Sequence, residues 1–555
     1  MSTDLTARPT APSTDPQKRP NLRIMATVAV VAVAAAAVYL AAAPMGIDLA
    51  AQTAYADFWV RHGAAALNFG WYGGVSPFGY SLVTPELMGW LGGGTTGARA
   101  LGAIAAVTAT LLLAALLIRT HASRPLLAAL LGAAGVFGNI VSGRVTFTAG
   151  LVFALAALLA LTWSRPWPRR TGAVIGGVLA AAASPVVGLF TGLAAVALLQ
   201  AAGWRRAENP GLHGRRVDGL LLATAAAVPT LGMAALFGAD GPMNTIASDT
   251  LRSCTVSLLV ALLVPRPAIR IGALLSAAGV LAASILTTPV GLNAGRLSAT
   301  FALAILAGYA TRPAWLRVPF PAGGAPRTAA AAVLVGTVAI WQHPVAVSDL
   351  RSVGDPTSSP AYFAPLLDEL ARHQPQGRVE VVPTAHYWEA AYVPGTAPLA
   401  RGWLRQADTA RNAVFFQGRL TASSYLRWLK DTGVSLVALA DAPSASVAGQ
   451  EAALVRSGPS YLRTLWHSAH WTLYAVAGAP TIVTGATLVS STDGAVVLDV
   501  TSPGSVSLRV RWSRWLAVTG PDGCLAPAAE GWTALMARAP GRYTVTGSMV
   551  AGPRC

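Results

Sequence analysis

Charged residues are scarce in this chain, and long runs contain none at all. Only 11% of the 555 residues are Asp, Glu, Lys or Arg, whereas 54% are hydrophobic. Soluble domains carry about 25% charged residues. The mean hydropathy is +0.53. This composition excludes an ordinary soluble protein and predicts a polytopic membrane protein.

Cysteine is equally rare. Three cysteines are too few for a disulfide framework or for a tetrahedral zinc site. Cys254 lies in an apolar run and is predicted to be a small core residue. Cys524 and Cys555 both lie in the C-terminal region, and they can form one disulfide if that region is outside the cytoplasm.

Several catalytic motifs are absent. The sequence has no Walker-type phosphate loop, no G-x-S-x-G elbow, no H-E-x-x-H and no C-x-x-C. This removes ATP-driven transport, the common serine hydrolases and the zincin metalloproteases as first choices. No metal site or cofactor is predicted, and the use of a divalent metal stays open.

Positive charge is plentiful, but its distribution argues against nucleic acid as a partner. The net charge is +17, and the arginines lie in short clusters between apolar runs. That is the pattern of short cytoplasmic loops in membrane proteins. The small number of lysines beside many Arg, Ala and Gly indicates a GC-rich genome, as in actinobacteria.

The apolar runs and arginine clusters predict a polytopic α-helical membrane protein with about eleven transmembrane helices, the N-terminus cytoplasmic and the C-terminus outside the cell membrane. The first run could also be a signal peptide, but its length favours a retained span. The 171–202 run is too long for one crossing, and Ser184-Pro185 predicts a hairpin of two spans. The predicted regions are a disordered cytoplasmic tail (1–23), a transmembrane domain (24–342) with a long first outer loop (44–97), an extracytoplasmic α/β domain (343–480) and a β-sandwich-like module (481–555).

The first loop opens with an acidic residue close to the end of the first span. If the segment is helical, Asp48, Gln52, Tyr55 and Trp59 share one face, and Asp57 lies on the opposite face. Asp48 is therefore the first catalytic candidate and Asp57 a secondary one. The alternative is that Asp48 only caps the helix.

The second half of this loop is rich in aromatic residues and glycine. Trp71, Tyr72 and Tyr80 have side chains that stack on sugar rings, and Glu86 is a further acidic candidate. The alternative is an aromatic belt at the membrane surface with turn glycines.

Two arginines lie at predicted outer ends of spans, where arginine is least expected. Arg144 follows Ser142-Gly143, and Arg296 follows Asn293-Ala294-Gly295. An arginine beside glycine at a helix start suits a phosphate group. Each can equally be a snorkelling or ion-paired arginine.

The outer domain contains a stretch of groups compatible with sugar binding. They are His386, Trp388, Glu389, Arg401 and Trp403. Local packing at the junction with the membrane domain is the alternative.

Together these features resemble the GT-C superfamily of membrane glycosyltransferases and actinobacterial integral membrane proteins of that type. The residues that carry the resemblance are Gly46-Ile47-Asp48-Leu49, Trp71-Tyr72-Gly73, Ser142-Gly143-Arg144, Pro289-Val290-Gly291-Leu292-Asn293 with Arg296, and Ala400-Arg401-Gly402-Trp403-Leu404-Arg405-Gln406.

The resemblance implies a hexosyl- or pentosyltransferase that moves a sugar from a polyprenyl-phosphate donor to an envelope glycan or glycolipid. It implies Asp48 as general base, a single inverting displacement, and Arg144, Arg296 and Asn293 at the donor phosphate. No second acidic residue is paired with Asp48 in the sequence, which argues against a two-carboxylate site.

Two other classes remain open. A transporter or flippase of envelope lipids predicts charged residues in mid-span or matched broken helices, and neither is evident. A non-catalytic membrane scaffold or glycan-binding protein would disperse the candidate residues, whereas an enzyme would gather them around one cavity.

Overall fold

The computed structural model describes residues 18–204, 216–238, 241–243, 245–311, 333, 336–341, 349–479, 481–550 and 552–555. Residues 1–17 of the predicted tail, and most of the predicted eleventh span, lie outside the described residues. The first helix begins at Lys18, so residues 18–23 of the predicted tail are helical.

Within the described residues up to Tyr309, twelve helices form the first part of the molecule, and two of them, α2 and α3, lie in the first loop. Their bounds are α1 (Lys18–Ala42), α2 (Ile47–His62), α3 (Thr84–Trp90), α4 (Gly94–Arg119), α5 (Pro125–Val141), α6 (Val145–Ala160), α7 (Pro166–Ala183), α8 (Pro185–Trp204), α9 (Arg216–Phe237), α10 (Ala247–Leu263), α11 (Pro267–Ile285) and α12 (Arg296–Tyr309).

Within the described residues, five of these helices are long and apolar enough to cross a membrane: α1, α4, α8, α9 and α11. Helices α5 and α6 are apolar but shorter. The set fits a multi-pass membrane protein. The predicted count of eleven spans is not tested, because most of residues 312–348 lie outside the described residues.

The predicted break in the 171–202 run is present. Helix α7 ends at Ala183 and α8 begins at Pro185. Proline is accepted at the first position of a helix because its missing N–H is not needed there. The two helices pack against each other and against α9.

The first loop is largely ordered secondary structure. Helix α2 is Ala-rich, and ten of its 16 residues are buried, because it packs on α4 on one side and on the helix Glu389–Tyr392 on the other. Its acidic residue near the N-terminus and its Arg61 and His62 at the C-terminus suit the helix dipole. A helix buried on both sides can hold a polar side chain in a fixed position.

The α/β domain consists of one four-stranded sheet with helices. Its strands are β1 (Arg378–Val381), β2 (Val434–Ala440), β3 (Leu462–His467) and β4 (Trp471–Val476), in the order β1-β2-β4-β3. Strands β1 and β2 are parallel, and the other two pairs are antiparallel. The helices are α13 (Pro360–His373), α14 (Glu389–Tyr392), α15 (Arg405–Arg411), α16 (Ala422–Thr432) and α17 (Gly449–Arg456).

The last region consists of two antiparallel four-stranded sheets around a shared apolar core. The sheet orders are β10-β11-β8-β5 and β6-β7-β12-β9. Their bounds are β5 (Val483–Thr484), β6 (Thr487–Ser491), β7 (Ala495–Val500), β8 (Gly504–Leu508), β9 (Leu516–Thr519), β10 (Gly523–Pro527), β11 (Thr533–Ala537) and β12 (Gly541–Gly547). Cys524 forms a disulfide with Cys555. This region is called the β-sandwich below.

Both C-terminal regions rest on the first loop. The backbone N–H of Leu399 donates to Gly70 O at 2.9 Å, and that of Arg511 donates to Gly73 O at 2.8 Å. Arg61 and His62, at the end of α2, both pair with Asp493 of the β-sandwich, at 2.6 and 2.7 Å. The first loop therefore joins the helices to the two C-terminal regions.

Candidate active site

The start of α2 lies directly against the turn between α5 and α6, and two glycines permit this contact. A Cβ at Gly46 would lie 2.4 Å from the carbonyl oxygen of Val141. Gly143 has φ +83°, and a Cβ there would lie 2.2 Å from the backbone nitrogen of Leu49. The N–H of Asp48 donates to Ser142 O at 3.1 Å, which fixes the depth of the helix end.

We expect Gly143→Ala to displace the start of α2. The left-handed backbone alone costs about 1–2 kcal/mol with a side chain, and overpacking adds about 1–3 kcal/mol. The matched control is Gly279→Ala, because a Cβ at Gly279 meets nothing within 4 Å. Thermal unfolding of the purified protein should show a clearly lower midpoint temperature for Gly143→Ala and little change in that temperature for Gly279→Ala. Equal stability of both variants would contradict this view of the contact.

Three residues that are distant in the sequence meet at this point. Asp48 Oδ2 accepts a hydrogen bond from Arg144 Nε at 3.0 Å and another from Arg296 Nη2 at 3.3 Å. The side chains of Asp48, Arg144 and Arg296 are 11%, 18% and 17% exposed, respectively, so the cluster is largely buried but accessible to a ligand. Asp48 Oδ1 has no hydrogen-bond partner among the described residues. The two arginines exceed the single carboxylate by one positive charge.

A second carboxyl group lies beside this cluster. Asp349 Oδ2 accepts a hydrogen bond from Ser142 Oγ at 2.6 Å, in the same turn that holds Asp48. Burial raises the pKa of Asp349, and the nearby charge of Asp48 raises it further. The sequence shows no acidic residue paired with Asp48, but the fold brings Asp349 close to it. The available signal was an Asp placed just after the last apolar run, as Asp48 follows the first.

Polar and aromatic side chains complete the surroundings of Asp48. Gln52, one turn further along α2, donates to Tyr80 Oη at 2.8 Å. Trp403 Nε1 donates to Ile47 O at 2.9 Å, and the Trp403 ring meets Tyr80 edge-on at 6.2 Å. Arg296 lies over the ring of Phe147, 5.6 Å from its centre. The predicted residues Gln52, Tyr80 and Trp403 therefore do lie near Asp48.

An apolar cavity of about 290 Å³ begins next to Arg296. It follows α12 from Leu297 to Tyr309, a length of about 18 Å at 1.5 Å per residue. Side chains of α4, α6, α8, α10 and α11 close its other walls. Arg296 immediately precedes the first of these α12 residues, and the charged residue that lines the cavity itself is Arg266, next to Tyr309 at the other end.

No family model matches this chain, and no curated protein does. Among solved structures, the chain is similar to an oligosaccharyltransferase from Archaeoglobus fulgidus, crystallised with a disulfide-tethered acceptor peptide containing the NVT sequon. The TM-score is 0.43 and the identity 10%, over 76% of this chain and 69% of that one. The similarity is too distant to support an argument about fold or function, and the proposed function rests on geometry alone.

The aromatic residues of the first loop are placed differently from their predicted role. Tyr55, Trp71 and Tyr72 are at most 3% exposed, and they pack between the loop and the α/β domain. Trp71 Nε1 donates to Ala390 O at 3.0 Å, and Tyr72 Oη donates to Leu404 O at 3.1 Å. They leave no face free for a sugar ring, because their size is used to fill the joint between two regions.

Most of the predicted sugar-binding residues of the α/β domain are also buried. Trp388 is 0% and Glu389 4% exposed, and Arg401 is enclosed by carboxylates. His386 is partly exposed and pairs with Asp355 at 3.2 Å. Packing and internal ion pairs take up these side chains, in place of the sugar contact that the sequence suggested.

The remaining candidates lie apart from the cluster or beside it. Asp57 faces Gly94 and Arg61, on the other side of α2 from Asp48. Glu86 lies in the first turn of α3. Asn293 lies in the short turn before Arg296, and its side chain has no hydrogen bond to a described residue. Of these three, Asn293 is the one placed next to a residue of the cluster.

Glu389 predicts a pH dependence of stability. Burial raises its pKa to about 7, partly offset by hydrogen bonds from Thr384. The folded form then holds a proton that the unfolded form releases near its ordinary pKa, so stability is fully present below about pH 4.5 and falls as the pH rises towards 7. Glu389→Gln should remove this fall. We expect the variant to gain about 1–3 kcal/mol relative to wild type at pH 8.

The measurement is chemical unfolding of both proteins at pH 5 and pH 8. His386→Asn is a suitable control, because His386 is three residues away but partly exposed. A constant difference between Glu389→Gln and wild type at the two pH values would contradict the prediction.

Proposed function

We propose that this protein is a GT-C-type membrane glycosyltransferase, with its N-terminus cytoplasmic and its C-terminal regions outside the membrane. It moves a sugar from a polyprenyl-phosphate donor to an envelope glycan or glycolipid. The observation that supports this most is the meeting of Asp48, Arg144 and Arg296, since Arg296 immediately precedes the α12 residues that line an apolar cavity.

A lipid phosphate needs two kinds of surroundings, and the site offers both. Arginine forks bind phosphate oxygens by charge and by paired hydrogen bonds. The apolar cavity along α12 suits a hydrocarbon chain, and it begins one residue after Arg296. Asn293 lies in the preceding turn and can add a neutral donor. We therefore assign the two arginines to the donor phosphate.

The proposed reaction is one displacement at the anomeric carbon. Asp48 takes the proton of the acceptor hydroxyl, and the hydroxyl oxygen forms a bond to the anomeric carbon. The bond between that carbon and the phosphate oxygen breaks, and polyprenyl phosphate leaves with the electron pair. Arg144 and Arg296 stabilise its negative charge. A single displacement inverts the configuration of the sugar.

The ion pairs of Asp48 suggest how the base becomes available. Oδ2 is shared between the two arginines that are assigned to the phosphate. A donor phosphate would compete with Asp48 for those guanidinium groups. As it takes over their hydrogen bonds, the carboxylate is released towards the acceptor. Donor binding and base activation are then one event.

The experiment uses the full-length protein in nanodiscs. It is incubated with radiolabelled polyprenyl-phosphate hexoses and pentoses, with and without envelope glycan and glycolipid acceptors. We expect transfer with one donor class and inverted anomeric configuration by NMR. Binding of glycan without transfer from any donor would support the scaffold reading instead.

Arg296→Gln should weaken binding of the donor and leave binding of the acceptor unchanged. Losing a hydrogen bond to a charged group costs about 1.5–3 kcal/mol, which corresponds to a rise in donor KM of about 10- to 150-fold. Arg252→Gln is the control, because the Arg252 side chain is 40% exposed and its ion pair among the described residues is with Asp249 at 3.5 Å. Steady-state kinetics with varied donor and fixed acceptor would measure the effect. A rise in the KM for the acceptor, with the KM for the donor unchanged, would contradict the assignment.

A further inference from the structure

Asp349 lies at the start of the described segment that leads into the α/β domain, and it is only 8% exposed. Its backbone carbonyl accepts a hydrogen bond from Ser352 Oγ at 2.5 Å. Asp355 then accepts from the N–H of Thr357 at 2.9 Å, and Ser359 caps α13. Local hydrogen bonds at each turn therefore fix this segment, which runs from the candidate active site to the α/β domain.

The carboxyl group of Asp349 contacts two other segments at once. Its Oδ2 accepts from Ser142 Oγ, in the turn between α5 and α6, at 2.6 Å. The backbone N–H of Ile47, the first residue of α2, also hydrogen-bonds to this carboxyl group. Ile47 directly precedes Asp48, and Ser142 lies two residues before Arg144. One side chain therefore holds the segments that carry the proposed base and one arginine of the proposed phosphate site.

The start of α2 needs such a partner, because its own sequence does not supply one. The first N–H groups of a helix have no partner within the helix. The N-cap residue of α2 is Gly46, which makes no side-chain hydrogen bond, and Asp48 Oδ2 is taken up by the two arginines. An acidic group near a helix N-terminus stabilises that end. Asp349 supplies this group from a distant part of the sequence.

We infer that Asp349 is a positioning residue of the proposed glycosyltransferase, and the inference rests on that proposed function. Together with Ser142 it fixes the start of α2 against the turn between α5 and α6, and so sets the distance between Asp48 and the guanidinium group of Arg144. Asp349 acts through these neighbours and takes no proton from the acceptor. The proposed displacement needs the base and the leaving phosphate in register, and a misplacement of about 1 Å can cost a factor of about 100 in rate.

The first test compares Asp349→Ala, Asp349→Asn and wild type in the transfer assay, with the full-length protein in nanodiscs. We expect kcat to fall by about 10- to 100-fold in Asp349→Ala. Asp349→Asn should recover most of this loss, because an amide oxygen can still accept from Ser142 and Ile47. It should also keep the limb of the pH–rate profile that reports deprotonation of the base, since Asp48 is intact. The control is Asp368→Ala, which should match wild type because Asp368 lies exposed on α13.

Ser142→Ala tests the same contact from the other side and leaves Asp349 in place. We expect a smaller loss of kcat for Ser142→Ala than for Asp349→Ala, since the contact between Asp349 and Ile47 remains. In the double variant the two losses should not add, because both substitutions remove the same hydrogen bond. Full additivity of the two losses would overturn the inference.

A second measurement does not depend on glycosyl transfer. Hydrogen exchange at residues 47–49 should be about 2- to 30-fold faster in Asp349→Ala than in wild type, as expected for the loss of a helix cap. Exchange at residues 55–60, later in the same helix, should stay unchanged.

Wild-type kcat in Asp349→Ala would overturn the inference and leave the proposed function in place. Equal loss of kcat in Asp349→Asn and Asp349→Ala would overturn it as well, because the charge of the carboxylate, and not its hydrogen bonds, would then matter. If the wild type transfers no sugar from any donor, the proposed function fails, and hydrogen exchange decides the inference alone. Faster exchange at residues 47–49 then supports the anchoring by Asp349, and unchanged exchange overturns it.

Discussion

Asp48→Asn should lower the turnover number for sugar transfer by about 10²–10⁴-fold, the usual contribution of a general base. Donor affinity should be unchanged or higher, because the amide no longer competes with the donor phosphate for Arg144 and Arg296. The limb of the pH–rate profile that reports deprotonation of the base should disappear. If Asp48 only held the two arginines in place, Asp48→Asn would instead weaken donor binding.

The matched control is Asp57→Asn. Asp57 lies on the same helix, nine residues after Asp48, on the side away from the cluster and beside Gly94 and Arg61. We expect its turnover number to stay within a few-fold of wild type. Single-turnover measurements at saturating donor would separate the chemical step from binding. Equal rates for Asp48→Asn and wild type would remove Asp48 as the base, and Asp349 would be the next carboxyl group to change.

Arg401→Met should have the greatest effect on stability. Arg401 pairs with Asp408 at 2.7 Å and with Glu451 at 2.9 Å, and Glu380 lies 3.7 Å away. All four side chains are at most 5% exposed. Removing the cation leaves buried carboxylates without a counter-charge, at a cost of about 3–5 kcal/mol. We expect the α/β domain to unfold locally or fail to fold.

The loss of stability in Arg401→Met should be greater at high pH than at low pH. Burial and the charge of Glu451 already raise the pKa of Glu380 well above its usual range. Without Arg401, the folded form should hold still more protons than the unfolded form at neutral pH. Stability therefore falls further as the pH rises, and the deficit is greater at pH 8 than at pH 5.

Hydrogen exchange of β2, which lies beside this ion cluster, measures the local stability. Arg401→Met with Glu451→Gln and Asp408→Asn should recover part of the loss, since it removes the uncompensated charges. Arg542→Met, on an exposed pair, should change little. Normal protection of β2 in Arg401→Met would show that the cluster contributes nothing to the domain.

The local features of the chain could be predicted because their signals are local. Helices α1 and α4–α12 coincide with predicted apolar runs, and the turn at Ser184-Pro185 follows from the chemistry of proline. The strand at 434–440 is buried along almost its whole length, and the strand at 495–500 alternates half-buried and buried residues, which are patterns that apolar periodicity alone can indicate. The phase of α2 also separated Asp48 from Asp57 before any fold was known, because helix periodicity depends on spacing alone.

Contacts between distant segments could not be obtained in this way. Asp349 meets Ser142 across 207 positions of the sequence, and Arg296 meets Asp48 across 248. Trp71 and Arg401 are likewise buried and take part in packing and ion pairs, although their residue types suit a sugar site. A side chain's type limits the chemistry that it can perform. Its neighbours and its exposure depend on how helices and domains pack, so the grouping of Asp48, Arg144 and Arg296 is a property of the folded chain alone.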